Sequence, residues 1–124
     1  MPFLKEDLMG DLPINFIERV ASLVQRHLHN DEFGVEGLQN HLAVSYSNLY
    51  RKIKEQTGHT PSVYIRIQRL NYACELLMET QLTITEIAYR CGFNNLPYFS
   101  KCFTDYYQET PSEFRKNARL PDND

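Results

Sequence analysis

The sequence has no tryptophan, only three cysteines, and no apolar run of the roughly 18 residues needed to span a bilayer. Cys74, Cys91 and Cys102 form no close pair and show no metal-ligand spacing, so we interpret them as small buried apolar residues. The four histidines are scattered and predict no zinc site. The N-terminal stretch lacks the basic start and apolar centre of a signal peptide, so we expect a cytoplasmic protein.

Sequence motifs for catalysis are missing as well. The chain contains no glycine-rich phosphate loop, no nucleophile elbow and no paired catalytic acids. Gly58 and Gly92 each stand alone, and we interpret them as residues that end helices. The sequence therefore predicts a protein that is not an enzyme, with no catalytic residue, no metal and no cofactor.

Charge is distributed unevenly along the chain. The formal net charge is −3 at pH 7, which is unfavourable for binding an acidic polymer. However, residues 1–44 contain seven acidic and three basic residues, whereas residues 45–73 contain five basic residues and one acidic residue. One stretch of the sequence is thus basic, which is compatible with a nucleic-acid partner but does not by itself decide for one.

Apolar residues recur at three- and four-residue steps along most of the chain, as is typical of amphipathic helices. Polar residues suited to cap helices precede several of them: Ser45, Thr83 with Glu86, and Asn94 or Asn95. No segment shows the alternation of a strand, so the predicted fold is all-α with seven helices. The predicted helices span residues 14–29, 35–42, 46–56, 61–78, 84–91, 95–108 and 111–117.

The sequence resembles itself at an offset of about 50 residues. Each half predicts a short helix, a tight turn and a longer helix, which is the helix-turn-helix arrangement. The helix between them, about 27 Å long, is comparable to the roughly 34 Å between successive major-groove segments of DNA. For the residues that precede the second helix of each unit, the offset of the repeat is 49 instead of 50. One residue is therefore inserted in the turn of the second unit. The matched positions include Leu49 with Phe99, Ile53 with Phe103, Ser45 with Asn94, and Thr60-Pro61-Ser62 with Thr110-Pro111-Ser112.

Helical phase predicts which side chains the second helix of each unit exposes. If Leu49 and Ile53 point inward, the opposite face of that helix carries polar and basic groups. Arginine can bind guanine through two hydrogen bonds, and serine, tyrosine and lysine can reach base edges or phosphates. The exposed residues are Ser47, Tyr50, Arg51 and Lys54 in the first unit and, by the repeat, Pro97, Ser100, Lys101 and Thr104 in the second.

Several motifs resemble those of the AraC/XylS family of transcription regulators. The second unit carries IAYRCGF, YFSKCF and TPSEF, and the first carries the L-x-x-x-L-x-x-S, L-x-R and TG patterns. The resemblance covers about residues 14–117. It implies the C-terminal DNA-binding domain of that family, in which two helix-turn-helix subdomains are joined by a long central helix and the third and sixth helices read DNA.

The resemblance also implies roles for individual residues. Arg66 matches a position near a backbone phosphate, and we assign further phosphate contacts to Lys52, Lys54, Arg69 and Asn95. Asn95 is better suited to cap a helix than to read bases. Because Leu96 and Pro97 are apolar, we expect the second unit to read DNA less strictly than the first. The residues placed at base-reading positions are Ser47, Tyr50, Arg51, Leu96, Pro97, Ser100 and Lys101.

The predicted domain spans residues 14–117, with a first unit at 14–58, a linker helix at 61–78 and a second unit at 83–117. Residues 1–13 are interpreted as an interdomain linker or an artificial start, and 118–124 as a flexible tail.

The family domain is generally attached to a sensory, dimerisation or phospho-receiver module, so we expect this chain to be a fragment of a longer regulator or an unusually minimal stand-alone member. The expected partners are double-stranded DNA and RNA polymerase, without membrane contact, and both activation and repression are compatible with the sequence. The alternative function is a helical module that docks protein and has lost DNA binding. An acidic isoelectric point and the apolar Leu96-Pro97 favour this alternative.

Overall fold

The computed structural model describes residues 15–119, and this range contains seven helices and no strand. The all-α fold predicted from the apolar periodicity is confirmed. The helices are α1 (Phe16–Arg26), α2 (Val35–Leu42), α3 (Tyr46–Thr57), α4 (Pro61–Glu79), α5 (Ile84–Arg90), α6 (Leu96–Tyr107) and α7 (Pro111–Arg119).

The ends of the helices differ from prediction mainly in α1 and α7. α1 ends at Arg26 and not near residue 29, because the His27 N–H bonds the Val24 carbonyl and starts a turn. Leu28 remains buried after the helix has ended, which is why the apolar period extended too far. α7 continues to Arg119, so residues 118 and 119 are helical and the prediction of a tail from 118 is wrong there. Residues 1–14 and 120–124, which include most of the predicted terminal segments, lie outside the described range.

Helix capping follows the local chemistry of the sequence. The Ser45 hydroxyl accepts a hydrogen bond from the Asn48 N–H at 3.2 Å, and Thr83 with Glu86 forms a complete capping box. Asn95, and not Asn94, caps α6 through its side-chain oxygen. Each cap satisfies an amide that the helix leaves unpaired at its N-terminus, so these predictions are confirmed.

The two turns repeat the same backbone conformation. Ala43 and Gly92, which are 49 positions apart, both adopt positive φ angles, of 54° and 86°. Ser45 and Asn95, which are 50 positions apart, both cap the following helix. The inserted residue is therefore Asn94, and the structural counterpart of Ser45 is Asn95 instead of Asn94 as aligned from the sequence.

Two separate hydrophobic cores lie along α4. The first unit, α1 to α3, encloses one core with the beginning of α4, and the second unit, α5 to α7, encloses the other with the remainder of α4. Residues at the centre of the first core include Val20, Leu38, Leu49, Ile53 and Tyr64. Residues at the centre of the second include Leu77, Ile87, Cys91, Phe99 and Phe103.

The last helix is joined to the end of α4 by an arginine. The Arg115 guanidinium donates to the carbonyl oxygens of Leu77 at 3.0 Å, Thr80 at 3.2 Å and Leu82 at 2.7 Å. These bonds pair carbonyls at and just beyond the C-terminus of α4, which a helix otherwise leaves without partners.

The three cysteines are free thiols, as expected for residues that serve packing. Cys91 is fully buried in the second core, whereas Cys74 and Cys102 are half-buried. Burial raises the pKa of the Cys91 thiol to about 12, so this thiol is neutral near pH 7. Within residues 15–119, no helix combines the length and the apolarity that crossing a membrane would require.

Candidate nucleic-acid interface

The outer face of α3 carries the polar groups predicted from helical phase. Leu49 and Ile53 are fully buried, so the helix is fixed with its opposite side in solvent. Ser47, Tyr50 and Arg51 are exposed on that side. Their exposure agrees with the sequence analysis, and their role as base readers remains a prediction.

Arg51 is held only by weak partners on its own helix. Its Nη2 donates to Asn48 Oδ1 at 3.3 Å, and its Nη1 lies 3.8 Å from Glu55 Oε1. The side chains of Arg51 and Glu55 are 56% and 63% exposed. Exposed pairs of this kind contribute about 1 kcal/mol or less, so Arg51 can exchange Glu55 for another anionic or hydrogen-bonding partner.

An aromatic pair extends the exposed face of α3 towards its N-terminus. Tyr46 is 50% exposed, and its ring centroid lies 5.9 Å from that of Tyr50. The sequence analysis missed Tyr46, although its position four residues before Tyr50 places both on one side of a helix. The two rings give α3 an amphipathic surface beside Arg51.

The two lysines of α3 point in different directions. Lys54 is exposed and donates to the Gly58 carbonyl at 3.2 Å, at the C-terminal end of the helix. Lys52 is half-buried, and its ammonium lies 4.8 Å from the centroid of the Phe16 ring on α1. Lys54 therefore adjoins the exposed face, whereas Lys52 is engaged with α1 on another side of α3.

The corresponding face of α6 is less polar and less basic. Phe99 and Phe103 are fully buried, which leaves Pro97 and Lys101 exposed and Ser100 half-buried. Leu96, predicted as a base reader, is half-buried and packs against the second core. Its side chain serves packing at the start of α6, so the surface available for reading is smaller than the sequence suggested.

Lys101 forms an ion pair one turn along α6. Its Nζ lies 2.9 Å from Asp105 Oδ2, and both side chains are largely exposed. The hydrogen bond and the charge of Asp105 raise the pKa of the Lys101 ammonium. α6 thus contains one basic and one acidic residue, whereas α3 contains three basic residues and one acidic residue.

A groove of about 410 Å³ separates α4 from α6. Val63, Ile67 and Leu70 contribute to its lining, together with the basic side chains of Arg66 and Lys101. Arg66 is half-buried, so its position on α4 is compatible with the predicted contact to a phosphate. Tyr98, which the sequence analysis did not single out, is 50% exposed at the α6 side of the groove.

The predicted phosphate contact of Arg69 is wrong. This residue is only 6% exposed, and its guanidinium donates to the backbone carbonyls of Leu28, Asn30, Phe33 and Cys91. Burial lowers the pKa of the Arg69 guanidinium, and the electrostatic interactions with Cys91 and Asp31 oppose this shift. The sequence treated α4 as a helix with one apolar side, but both units pack around it and enclose Arg69.

Asn95 has a structural task at the start of α6. Its Oδ1 accepts from the Tyr98 N–H at 2.8 Å, so the interpretation as a helix cap is confirmed. Its predicted phosphate contact stays a prediction. Among residues 15–119, no group of three histidine, cysteine or acidic side chains converges on a possible metal position.

The chain is similar to helix-turn-helix domains of known proteins. A family model described as a helix-turn-helix domain matches residues 38–117. The chain is 44% identical over 84 residues to the HTH-type transcriptional activator RhaS of Mannheimia succiniciproducens, covering 68% of this chain and 31% of that protein. It is also 35% identical over 110 residues to Histidine kinase P4 of Formosa agariphila, covering 89% of this chain and 8% of that protein.

The fold matches a solved structure that contains DNA. The DNA-binding domain of AdpA, a global transcriptional factor in complex with a target DNA, superimposes with a TM-score of 0.75 at 30% identity. The match covers 85% of this chain and 95% of that one. The chain spans less than a third of the length of either curated relative.

Proposed function

This chain belongs to the AraC/XylS family of helix-turn-helix DNA-binding domains. From this premise we propose that it regulates transcription by binding a specific sequence in double-stranded DNA. The observation that carries the proposal is the exposed face of α3, where Ser47, Tyr50 and Arg51 project from the second helix of a helix-turn-helix unit. The second helix-turn-helix unit contains α6 as its second helix, and α4 joins this unit to the first one. The family consists of DNA-binding domains and not of enzymes.

The geometry suits two neighbouring major grooves. α4 has 19 residues and is therefore about 28 Å long. Successive major-groove segments on one side of B-DNA lie about 34 Å apart, so α3 would enter one segment and α6 the next. Lys54 and Arg66 would neutralise phosphates and release counterions, which supplies affinity without specificity. Because Leu96 is packed and Lys101 is paired, α6 would contribute less to base reading than α3.

Arg51 is the residue we expect to discriminate most strongly between bases. Arg51→Ala should cost about 1–3 kcal/mol of binding free energy, and the loss should depend on one base-pair position. Glu55→Gln is the matched control, since it removes the exposed partner of Arg51 and should not weaken binding. Binding of each variant to a set of single base-pair substitutions measures this. An equal loss on every sequence would instead make Arg51 a phosphate contact.

Salt dependence tests whether the partner is a nucleic acid at all. Each phosphate contact should steepen the fall of log K with log salt by about 0.9. Arg66→Gln should therefore reduce the slope by about one contact while lowering affinity alike on all sequences. A binding titration of a selected duplex at increasing salt measures both effects.

The second candidate function, a module that docks protein, is favoured by the net charge of −3 and the exposed Pro97. Affinity for DNA that did not vary with salt would favour this candidate and contradict the DNA-binding proposal.

The parent protein is proposed to be a longer cytoplasmic regulator. This chain corresponds to 31% of RhaS, which is named as a transcriptional activator, and the remainder of the parent would hold a sensory, dimerisation or receiver module. RNA polymerase is the proposed protein partner, with activation as the outcome. We do not propose kinase activity for this chain on the basis of the Formosa protein, because the match covers 8% of that protein.

A further inference from the structure

The two units are connected mainly through α4. Helices α1, α2 and α3 each pack on α4 around the first core. Helices α5 and α7 pack on α4, and α6 packs on α5 and α7, around the second core. A single helix can hold two units at a fixed distance, but their rotation about its axis depends on whatever else joins them. The groups that bridge the units therefore determine how α3 and α6 are oriented relative to each other.

Arg69 lies at the boundary between the two cores. Ile65 belongs to the first core and Leu70 to the second, so Arg69 leaves α4 at the junction of the units. Burying a guanidinium is unfavourable unless its donors are paired. Four hydrogen bonds at this boundary provide that pairing.

The carbonyls that pair with Arg69 come from both units. Nη2 donates to Asn30 at 3.0 Å and to Phe33 at 2.7 Å, and Nη1 donates to Leu28 and, at 3.1 Å, to Cys91. Leu28, Asn30 and Phe33 belong to the loop between α1 and α2, whereas Cys91 follows α5 in the second turn. A single planar group thus ties the loop of the first unit to the turn of the second, and its rigid fork restricts their relative position.

Gly92 leaves room for this bridge. Its φ is +86°, and a Cβ built on it would lie 2.5 Å from the Leu28 carbonyl oxygen and 2.7 Å from Arg69 Cζ. Ala43 has the corresponding position in the first turn, where it is exposed and carries a Cβ. The contact between the units therefore requires a glycine at position 92, in addition to any requirement of the turn itself.

We infer that Arg69 is a positioning residue for DNA recognition. Through its carbonyl partners it holds the two units at one relative rotation, and so sets the spacing between the base pairs that α3 and α6 read. Arg69 is buried and touches no DNA itself. The inference rests on the proposed function, because spacing has meaning only if both helices enter grooves.

The test compares spacing preference and not affinity alone. Duplexes selected from a random library by the wild-type chain are altered by inserting or deleting one base pair between the two half-sites. This change moves one half-site by about 34° and 3.4 Å relative to the other. The wild type should lose about tenfold or more in affinity, because one set of base contacts is displaced. Arg69→Met should bind the original site more weakly, and its penalty for altered spacing should fall to about threefold or less.

Two further variants separate positioning from general stability. Arg69→Lys keeps the charge but has one donor centre in place of two, so its spacing penalty should lie between those of the wild type and Arg69→Met. Ile87→Val loosens the second core at a residue that is not itself a partner of Arg69, and it should keep the wild-type spacing preference. Binding is measured at a temperature where circular dichroism shows each variant folded, and if Arg69→Met does not fold, Arg69→Lys decides.

The outcomes distinguish this inference from the proposed function. If the wild type bound all spacings equally well, the proposal that both helices read adjacent grooves would be overturned. If the wild type depended on spacing and both Arg69 variants depended on it equally, only the role of Arg69 would be overturned. A spacing preference lost as fully in Ile87→Val would show that softening of the fold, and not the bridge, is responsible.

Discussion

Gly92→Ala is expected to lower the free energy of unfolding by about 3 kcal/mol or more. The added Cβ would lie 2.7 Å from Arg69 Cζ and 2.5 Å from the Leu28 carbonyl oxygen. Neither group can move easily, because Arg69 is held by four carbonyls and Leu28 is part of the backbone. Urea unfolding followed by circular dichroism measures the change.

Gly58→Ala is the matched control for this substitution. Gly58 has a φ of +80°, close to that of Gly92, but no heavy atom lies within 4 Å of a Cβ built there. This control should cost only the backbone penalty of about 1–2 kcal/mol. Equal losses at the two glycines would show that the φ angle alone matters, and that the close approach of Gly92 to Arg69 does not.

Phe103→Ala is expected to cost about 3–5 kcal/mol of unfolding free energy, because it opens a cavity in the second core. Phe103 is fully buried, and its ring centroid lies 5.8 Å from that of Phe99, 4.7 Å from that of Tyr107 and 5.7 Å from that of Phe114. These contacts join α6 to α7, so both helices should loosen. Denaturant unfolding gives the change in stability.

Tyr106→Ala provides the comparison for Phe103, since it removes an aromatic ring from the same helix. Tyr106 is 47% exposed, and its ring meets that of the adjacent Tyr107 edge-on, with ring centroids 4.8 Å apart. Its loss should cost about 1 kcal/mol or less. A similar small effect for Phe103→Ala would contradict the close packing of the second core.

Local chemistry was enough to predict most helices. Ser45 caps α3, and Thr83 with Glu86 caps α5, because such side chains bond amides three residues away in the same segment. The end of α1 could not be predicted in this way. Leu28 stays in apolar phase with the helix, but it reaches the core from a turn, which only the folded chain reveals.

The exposed face of α3 was predictable, because burial of Leu49 and Ile53 fixes the helix about its axis. The burial of Leu96 was not, since its packing on the second core depends on where α6 lies. The burial of Arg69 could not be predicted for a different reason. Its partners are backbone carbonyls up to 41 positions away, and carbonyls have no sequence signature.

The two hydrophobic interiors along α4 also affect which substitutions the protein can accept. The first interior has aliphatic Leu49 and Ile53 where the second has aromatic Phe99 and Phe103, so corresponding positions of the two interiors differ in side-chain volume. Because they share little besides α4, substitutions in one interior need no compensation in the other. A hybrid joining halves of two relatives within α4 would have to match the arginine and the turn glycine, while each parent's interior could be kept intact.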